Sequence, residues 1–140
     1  MSELPLTRRD FQRLAGLRAK EAGNLARNRC EEGAYYLAGY AVECALKACI
    51  AKKTKRHDFP KKEYVDKVYT HKLKDLFGLA DLDKQLEDDM KKNHALAENW
   101  LVVKDWNESK RYVTAGLQGK ALYEAITAEN GLLPWIKQRW

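Results

Sequence analysis

One stretch of the chain, residues 33–51, is apolar around nearly its whole circumference when drawn as a helix, and it reads GAYYLAGYAVECALKACIA. A surface helix carries an apolar stripe on one side, whereas a helix that is apolar all round is enclosed by neighbouring elements. The helical pattern extends from Glu31 to Lys53. We therefore predict a central helix here, buried by several other helices.

Four residues form a more polar stripe along this central helix. Tyr36, Tyr40, Glu43 and Lys47 follow one another at intervals of three or four residues, which places them on one face. Glu43 lies four residues before Lys47, the favoured order for an ion pair that contributes about 0.2 to 0.5 kcal/mol when exposed. Two interpretations are open: a structural pair at the rim of the core, or the floor of a groove or a dimer contact.

The sequence before and after the central helix predicts a first helix and a long connection. Apolar residues recur at helical spacing from residue 7 to about residue 28, with Thr7 as the N-cap and Asp10 in the first turn. Residues 54–70 are basic and contain a proline, so they are expected to connect helices, with a short helical turn over residues 61–68.

The second half of the chain predicts further helices. A short helix is expected from Leu73 to about Gly78. Asp81 or Asp83 is the expected cap of one long helix that continues to residue 103, with His94 on or beside its buried face as a core histidine.

The last part of the chain contains a predicted loop and two closing helices. Residues 104–114 break the helical period and are expected to form the loop, and the next helix is expected over residues 117–126. Pro134 suits the first turn of a short terminal helix whose tryptophans pack back onto the domain. No run has the period of a strand. The predicted fold is all-α, an antiparallel up-and-down bundle of four to five main helices in a single domain spanning residues 1–140.

The charge of the chain favours polyanionic partners. The formal net charge is +6 over 140 residues, which attracts nucleic acid at long range. A net charge of roughly 2 to 8 also keeps an ordinary small domain soluble, and the basic residues are interleaved with acids. The densest basic run, residues 52–57, fits a solvated loop after a helix. The net charge is therefore compatible with a nucleic-acid partner and does not require one.

The three cysteines, Cys30, Cys44 and Cys49, lack the spacing of a metal site. Cys44 and Cys49 point about 140° apart on one helix and cannot pair there. Free cysteines in an apolar stretch behave as small buried hydrophobes and suit a reducing compartment. The N-terminal residues have no apolar signal region, and the central helix is marginal as a membrane span. We expect a cytoplasmic protein without a membrane partner.

Common catalytic motifs are absent from the sequence. The three histidines form neither an HExxH nor a Cys/His arrangement, so no metal site is expected. The chain has no phosphate-binding glycine loop, and neither of its two serines lies in a nucleophile elbow. We therefore expect no cofactor and no metabolic chemistry of the usual kinds.

Residues 33–51 resemble the second helix of HEPN domains (higher eukaryotes and prokaryotes nucleotide-binding domains). The order of later features agrees with this resemblance: a basic linker, Thr70-His71-Lys72-Leu73 at the start of a short helix, a long helix leading to Trp106 and Arg111-Tyr112, and the closing GLLPWIKQRW. The similarity covers essentially the whole chain and is most specific in residues 33–51. It implies an antiparallel helical bundle that dimerises.

Many HEPN proteins are metal-independent ribonucleases whose active site is an arginine and a later histidine with four to six residues between them. None of the three histidines here has an arginine at that spacing, and Arg111 has no histidine after it. The resemblance therefore implies a stand-alone, bacterial-type member that lacks the ribonuclease motif.

The binding role of the family remains, and the resemblance assigns residues to it. Arginine holds phosphate in a bidentate manner, aromatic rings stack on bases, and lysine adds charge. The resemblance places His71, Trp106, Arg111 and Tyr112 near a groove beside the second helix. Together with the polar stripe of that helix, Tyr36, Tyr40, Glu43 and Lys47, they are the expected ligand-binding residues. A structural alternative has Trp106 packing the loop down and Arg111 pairing with Glu43.

Three functions are compatible with these observations. The first is a non-catalytic, dimeric module that binds nucleotide or RNA, with a nucleotidyltransferase or an antitoxin as a partner in a toxin-antitoxin pair. The second is an endoribonuclease with a non-standard site, in which His71 acts as acid or base and Arg111 stabilises phosphate charge. The third is a structural protein-interaction module.

Overall fold

The computed structural model describes residues 6–54 and 70–140, and all regular structure in these two ranges is helical. The elements are α1 (Arg8–Arg27), α2 (Glu31–Lys53), α3 (Leu73–Leu79), α4 (Asp83–Lys92), α5 (His94–Val103), a 3₁₀ turn (Glu108–Tyr112), α6 (Gly119–Thr127) and α7 (Leu132–Lys137). The predicted helical turn over residues 61–68 lies outside the described residues. The prediction of an all-α helical bundle is confirmed.

Helix α2 is the centre of the bundle, as its apolar circumference predicts. It contacts α1, α3, α6, α7 and the 3₁₀ turn, and Val42, Leu46 and Ile50 are buried along it. Three residues separate α1 from α2, so the two helices run antiparallel against each other. Within the described residues, no helix is both long and apolar enough to span a bilayer.

The first helix begins as its sequence predicts. Thr7 Oγ1 accepts a hydrogen bond from the backbone N–H of Asp10 at 3.1 Å, and Asp10 Oδ2 accepts one from the backbone N–H of Thr7 at 2.9 Å. This reciprocal capping box satisfies two backbone donors that the helix itself leaves unpaired. The bond from the Thr7 backbone lowers the pKa of Asp10 below its usual value.

The single long helix predicted up to residue 103 is in fact two helices. The backbone of Asn93 is extended, with φ −127° and ψ 95°, and its side chain caps α5 by accepting from the N–H of Leu96 at 3.1 Å. Asn93 Nδ2 also donates to Asn130 Oδ1 at 3.0 Å. Asparagine side chains compete with helical backbone bonds in this way. His94 is consequently an exposed first residue of α5, paired with Glu98, and not the core histidine that the pattern predicted.

The predicted aspartate caps of α4 also differ from the structure. The N-cap is Leu82, which makes no side-chain cap bond, and Asp83 is the first helical residue. Asp81 adopts the left-handed conformation at φ 56° and forms an ion pair with Lys53 at the end of α2. Asp81 therefore does not cap α4; its ion pair with Lys53 connects the residues before α4 to the end of α2.

The last two helices fit their predictions to different degrees. Helix α6 begins at Gly119, two residues after the predicted start at Leu117, whereas α7 begins at Leu132, so that Pro134 lies in its first turn as predicted. A side chain at Gly119 would collide with the carbonyl of Glu31 and with Ala34, because the two helices touch there. This close approach brings the start of α6 onto the start of α2.

The end of the chain is held against α4 by a polar cluster. Trp135 Nε1 donates to Asp89 Oδ2 at 2.8 Å, and Arg139 Nη2 donates to the same oxygen at 3.2 Å. The guanidinium of Arg139 lies 3.8 Å from the centre of the Trp135 ring. Burial lowers the pKa of Arg139. The prediction that the terminal tryptophans pack back is confirmed, since Trp135 is buried and Trp140 is partly buried against the core.

A glycine in α2 makes room for the indole of Trp106. A Cβ atom added at Gly39 would overlap the ring of Trp106, which lies directly on the helix backbone. Trp106 is 2% exposed and stands two residues before the 3₁₀ turn. The contact between Gly39 and Trp106 thus fixes where that turn lies on α2.

We expect Gly39→Ala to destabilise the fold by roughly 1 to 3 kcal/mol, because an extra methyl in a filled core forces its neighbours to move. The matched control is Gly16→Ala in α1, where an added Cβ meets no atom within 4 Å. That change should stabilise the protein by about 0.5 to 1 kcal/mol, since alanine is the better helix former. Urea unfolding of the two variants measures both effects. If both substitutions raised the free energy of unfolding equally, the close packing of Trp106 on Gly39 would be contradicted.

The cysteines confirm the predicted burial of Cys44 and Cys49. Both are free and buried, whereas Cys30 is free and exposed at the start of α2. Burial raises the pKa of Cys44 from 9.0 to about 12 and that of Cys49 from 9.0 to about 11. The thiolate is the reactive form of cysteine, so both buried thiols are protonated and unreactive at neutral pH.

We expect one of the three thiols to react rapidly with a disulfide reagent at pH 8 in the native protein, and all three after unfolding. Cys30 should be the reactive thiol because it is exposed, while the raised pKa and the burial of the other two keep them protonated and inaccessible. Absorbance of the released thiolate counts the reacted groups. In Cys30→Ser the fast phase should disappear; a fast phase that persists would show that Cys44 or Cys49 is accessible.

Candidate functional site

Glu43 is a carboxylate inside the core. It is 1% exposed, and its Oε2 lies 3.3 Å from Nζ of Lys47, so the ion pair that the sequence predicts is confirmed. The other oxygen, Oε1, lies 3.0 Å from Nδ1 of His71. A buried charge is tolerated only when it is paired and hydrogen-bonded. The pair lies deeper than the rim position considered from the sequence.

His71 extends this contact from the core to the surface. It belongs to the segment just before α3, and its side chain is 41% exposed. Its second nitrogen, Nε2, lies 3.1 Å from Oε2 of Glu108. An ionised carboxylate only accepts hydrogen bonds. The imidazole thus lies between two carboxylate oxygens, one from the core and one from the 3₁₀ turn.

Glu108 belongs to the candidate site, although the sequence did not indicate it. Its Oε1 accepts from Nη1 of Arg111 at 2.7 Å, while its Oε2 faces His71. Residues three apart are eclipsed in a 3₁₀ helix, which explains why Glu108 and Arg111 meet within one turn. Their spacing is a usable sequence signal for this pair. The contact with His71 has no such signal, because 37 residues separate the two.

Arg111 and Tyr112 form the exposed end of the same network. Arg111 Nη2 donates to the hydroxyl of Tyr112 at 2.7 Å, and the guanidinium lies 4.8 Å from the centre of that ring. The bond to Tyr112 raises the pKa of Arg111, with smaller contributions from Glu108 and Tyr36. Tyr112 is 73% exposed. A permanent cation and an aromatic face are therefore both accessible here.

The remaining aromatic residues lie beneath this surface. The ring centre of Tyr36 is 6.0 Å from that of Tyr40 and 6.1 Å from that of Trp106. Both tyrosines are partly buried against the core. Trp106, expected from the resemblance to contact ligand, is covered by the fold at Gly39 and has no accessible face on which a base could stack. The structural alternative, in which Trp106 packs its loop down, describes its position.

The eight predicted residues therefore divide into a support and a surface. Glu43, Lys47 and Trp106 are enclosed and support the surface residues, and Tyr36 and Tyr40 are partly buried against the core. His71, Arg111 and Tyr112 are accessible; His71 and Arg111 both contact Glu108, and Tyr112 contacts Arg111. Arg111 pairs with Glu108 and not with Glu43. We call the four residues His71, Glu108, Arg111 and Tyr112 the His71–Arg111 patch.

The His71–Arg111 patch is an open surface. Among residues 6–54 and 70–140, no group of three or more histidine, cysteine, aspartate or glutamate side chains is placed to hold a metal ion. A cavity of about 460 Å³ lies elsewhere, between α3, α4 and α5, and its apolar floor includes Phe77, Leu86 and Trp100. None of the eight predicted residues lines that cavity.

Comparison of the chain with protein-family models, with curated proteins and with solved structures finds no match in any of the three. The likeness to HEPN domains therefore stays a prediction from residues 33–51 and the features that follow them.

We expect Glu43→Ala to destabilise the protein by roughly 3 to 5 kcal/mol, because it leaves a largely enclosed ammonium without its partner. The side chain of Lys47 is only 13% exposed, so water cannot replace the lost carboxylate fully. The double variant Glu43→Leu/Lys47→Met should recover most of the loss, since apolar residues of similar volume often replace buried pairs without cost. Urea unfolding of both variants measures the free energies.

Glu98→Ala is the matched control for the buried pair. Glu98 also pairs with a residue four positions away, His94, but both side chains are mostly exposed. We expect this change to alter stability by less than about 1 kcal/mol. If Glu43→Ala cost no more than Glu98→Ala, Glu43 would not be the buried, paired charge described here.

Proposed function

We propose that this protein is a HEPN-like module that binds nucleotide or RNA at the His71–Arg111 patch, without catalysis and as a dimer. The observation that carries the proposal is the pairing of an exposed guanidinium with an exposed aromatic ring. Arg111 is 45% exposed and Tyr112 lies directly beside it. Arginine and an aromatic face together suit the phosphate and the base of one nucleotide.

The support beneath the patch favours binding by a prearranged surface. The buried Glu43 orients His71, and the packing of Trp106 against Gly39 places the turn that carries Arg111. A surface whose residues are held before the ligand arrives loses less conformational freedom on binding. The net charge of +6 adds long-range attraction for a polyanion. The homodimer and a nucleotidyltransferase or antitoxin partner belong to the same proposal and rest on the resemblance alone.

A second candidate function is a metal-independent endoribonuclease, and one contact favours it. The carboxylate of Glu43 lies 3.0 Å from Nδ1 of His71 and directs the other nitrogen toward the surface. An imidazole oriented in this way by a buried carboxylate is suited to moving a proton. In such an enzyme Arg111 would stabilise the charge that develops on a phosphate.

We expect labelled single-stranded RNA to bind the protein in a salt-dependent manner and to remain intact. Arg111→Ala should weaken binding and reduce the slope of log K against log salt by about 0.7, the value for one phosphate contact on a single strand. Tyr112→Ala should cost about 1 to 3 kcal/mol of binding free energy through the lost stacking. Fluorescence anisotropy across a salt series gives both quantities, and a denaturing gel of the same samples reports cleavage.

Arg9→Ala is the control of equal charge. Arg9 is exposed in the first turn of α1, at the end of the bundle where Arg8 contacts the carbonyl of Trp140. Its removal should affect binding less than removal of Arg111. RNA cleavage that disappears in His71→Ala would replace the binding function with the endoribonuclease. An absence of binding at low salt would leave the structural interaction module as the better proposal.

A further inference from the structure

The carboxylate of Glu108 lies between two nitrogen-bearing side chains from different parts of the chain, Arg111 and His71. Its Oε1 accepts from Arg111 Nη1 at 2.7 Å, and its Oε2 lies 3.1 Å from His71 Nε2. In the described residues these are the side-chain contacts of that carboxylate. Each oxygen of one anionic group therefore faces a side-chain nitrogen from a different segment, Arg111 Nη1 or His71 Nε2.

We infer that Arg111 and His71 form an anion subsite for a terminal phosphate, and that Glu108 occupies this subsite when no ligand is bound. The inference rests on the function proposed above and names the ligand group and the residue that competes with it. A phosphate presents two oxygens to two donors as a carboxylate does. The Glu108 carboxylate thus occupies the position that the phosphate would take.

The charge of Glu108, which competes with the ligand, favours a terminal phosphate over a phosphodiester within an RNA strand. Glu108 contributes one negative charge, and an internal phosphodiester also carries one. A terminal phosphate carries roughly 1.5 to 2 negative charges at neutral pH. The subsite must release the glutamate before it accepts a ligand, so the more highly charged group displaces it more readily. The ligand class is a mononucleotide or an RNA end that bears a phosphate.

The position of Glu108 allows it to leave without unfolding its surroundings. It is the first residue of the 3₁₀ turn, and its side chain is 29% exposed. The turn is held independently by Asn107, whose Oδ1 accepts from the N–H of Ser109 at 3.0 Å, and by the buried Trp106. His71 keeps its contact with Glu43. Rotation of one side chain therefore opens the subsite while both donors stay in place.

Only molecules in which Glu108 has left the subsite can bind phosphate. The apparent affinity for the ligand is therefore the intrinsic affinity multiplied by the fraction of such molecules. Glu108→Gln removes the competing charge and keeps the shape of the side chain. It should tighten binding about three- to tenfold, the range expected from two partly exposed ion pairs. Glu98→Gln makes the same change in net charge at an exposed pair on α5, and it should leave the affinity within about twofold of the wild type.

The test uses inorganic phosphate and two RNAs with the same sequence, one with a 5′-phosphate and one with a 5′-hydroxyl. Phosphate should shift the imidazole resonances of His71 in the wild type, and at lower concentration in Glu108→Gln. The 5′-phosphorylated RNA should bind about three- to tenfold more tightly than the 5′-hydroxyl RNA. In Arg111→Ala this preference should disappear. His71→Ala identifies the histidine resonances.

The outcomes separate the subsite from the proposed function. If RNA binding depends on Arg111 but Glu108→Gln increases the affinity no more than Glu98→Gln does, the proposed subsite is wrong and the proposed binding function stands. If phosphate shifts His71 but neither RNA binds, the subsite stands and RNA binding is wrong. An equal affinity for the two RNAs overturns the choice of a terminal phosphate. If Glu108→Gln increases the affinity and the additional change Arg111→Ala abolishes that increase, the inference is supported.

Discussion

The burial of Glu43 is the constraint on which the candidate site depends. A carboxylate in the middle of a helical core needs partners for both of its oxygens, because an unpaired charge there would cost several kcal/mol. One partner, Lys47, comes from the same helix. The other, His71, comes from a segment that follows the long connection to α3. The requirement to satisfy one buried group therefore positions an imidazole at the surface of the bundle.

A second constraint is the close approach that small residues allow around α2. Gly39 permits the indole of Trp106 to lie on the helix backbone, and Gly119 permits the start of α6 to touch the start of α2. The first approach carries the 3₁₀ turn to the same face of α2 as Glu43. Arg111 and His71 meet because a packing contact and a buried charge place two distant segments on one side of the same helix.

These two constraints give the His71–Arg111 patch its chemical character. It combines a permanent cation, an imidazole with a buried carboxylate behind it and an exposed ring, and a second carboxylate links the first two. A surface of this kind is suited to an anionic, flat ligand. The unusual feature is that an anionic side chain of the protein already lies between the donors. In the subsite that we propose, ligand binding and the position of Glu108 are coupled through competition for the same atoms.

The sequence alone determined the features that depend on local spacing. The span of α2, the N-cap at Thr7 and the pair of Glu43 with Lys47 follow from helical geometry over three or four residues, so composition and order were sufficient to predict them. Tertiary packing decided the features that depend on distant residues. The bond between Asn93 and Asn130 accompanies the break in a helix that the apolar pattern predicted to be continuous, and Trp106 entered the core because Gly39 lies opposite it. His71 met Glu43 and Glu108 across 28 and 37 residues of sequence, a contact made by the packing of whole helices and encoded by no local pattern.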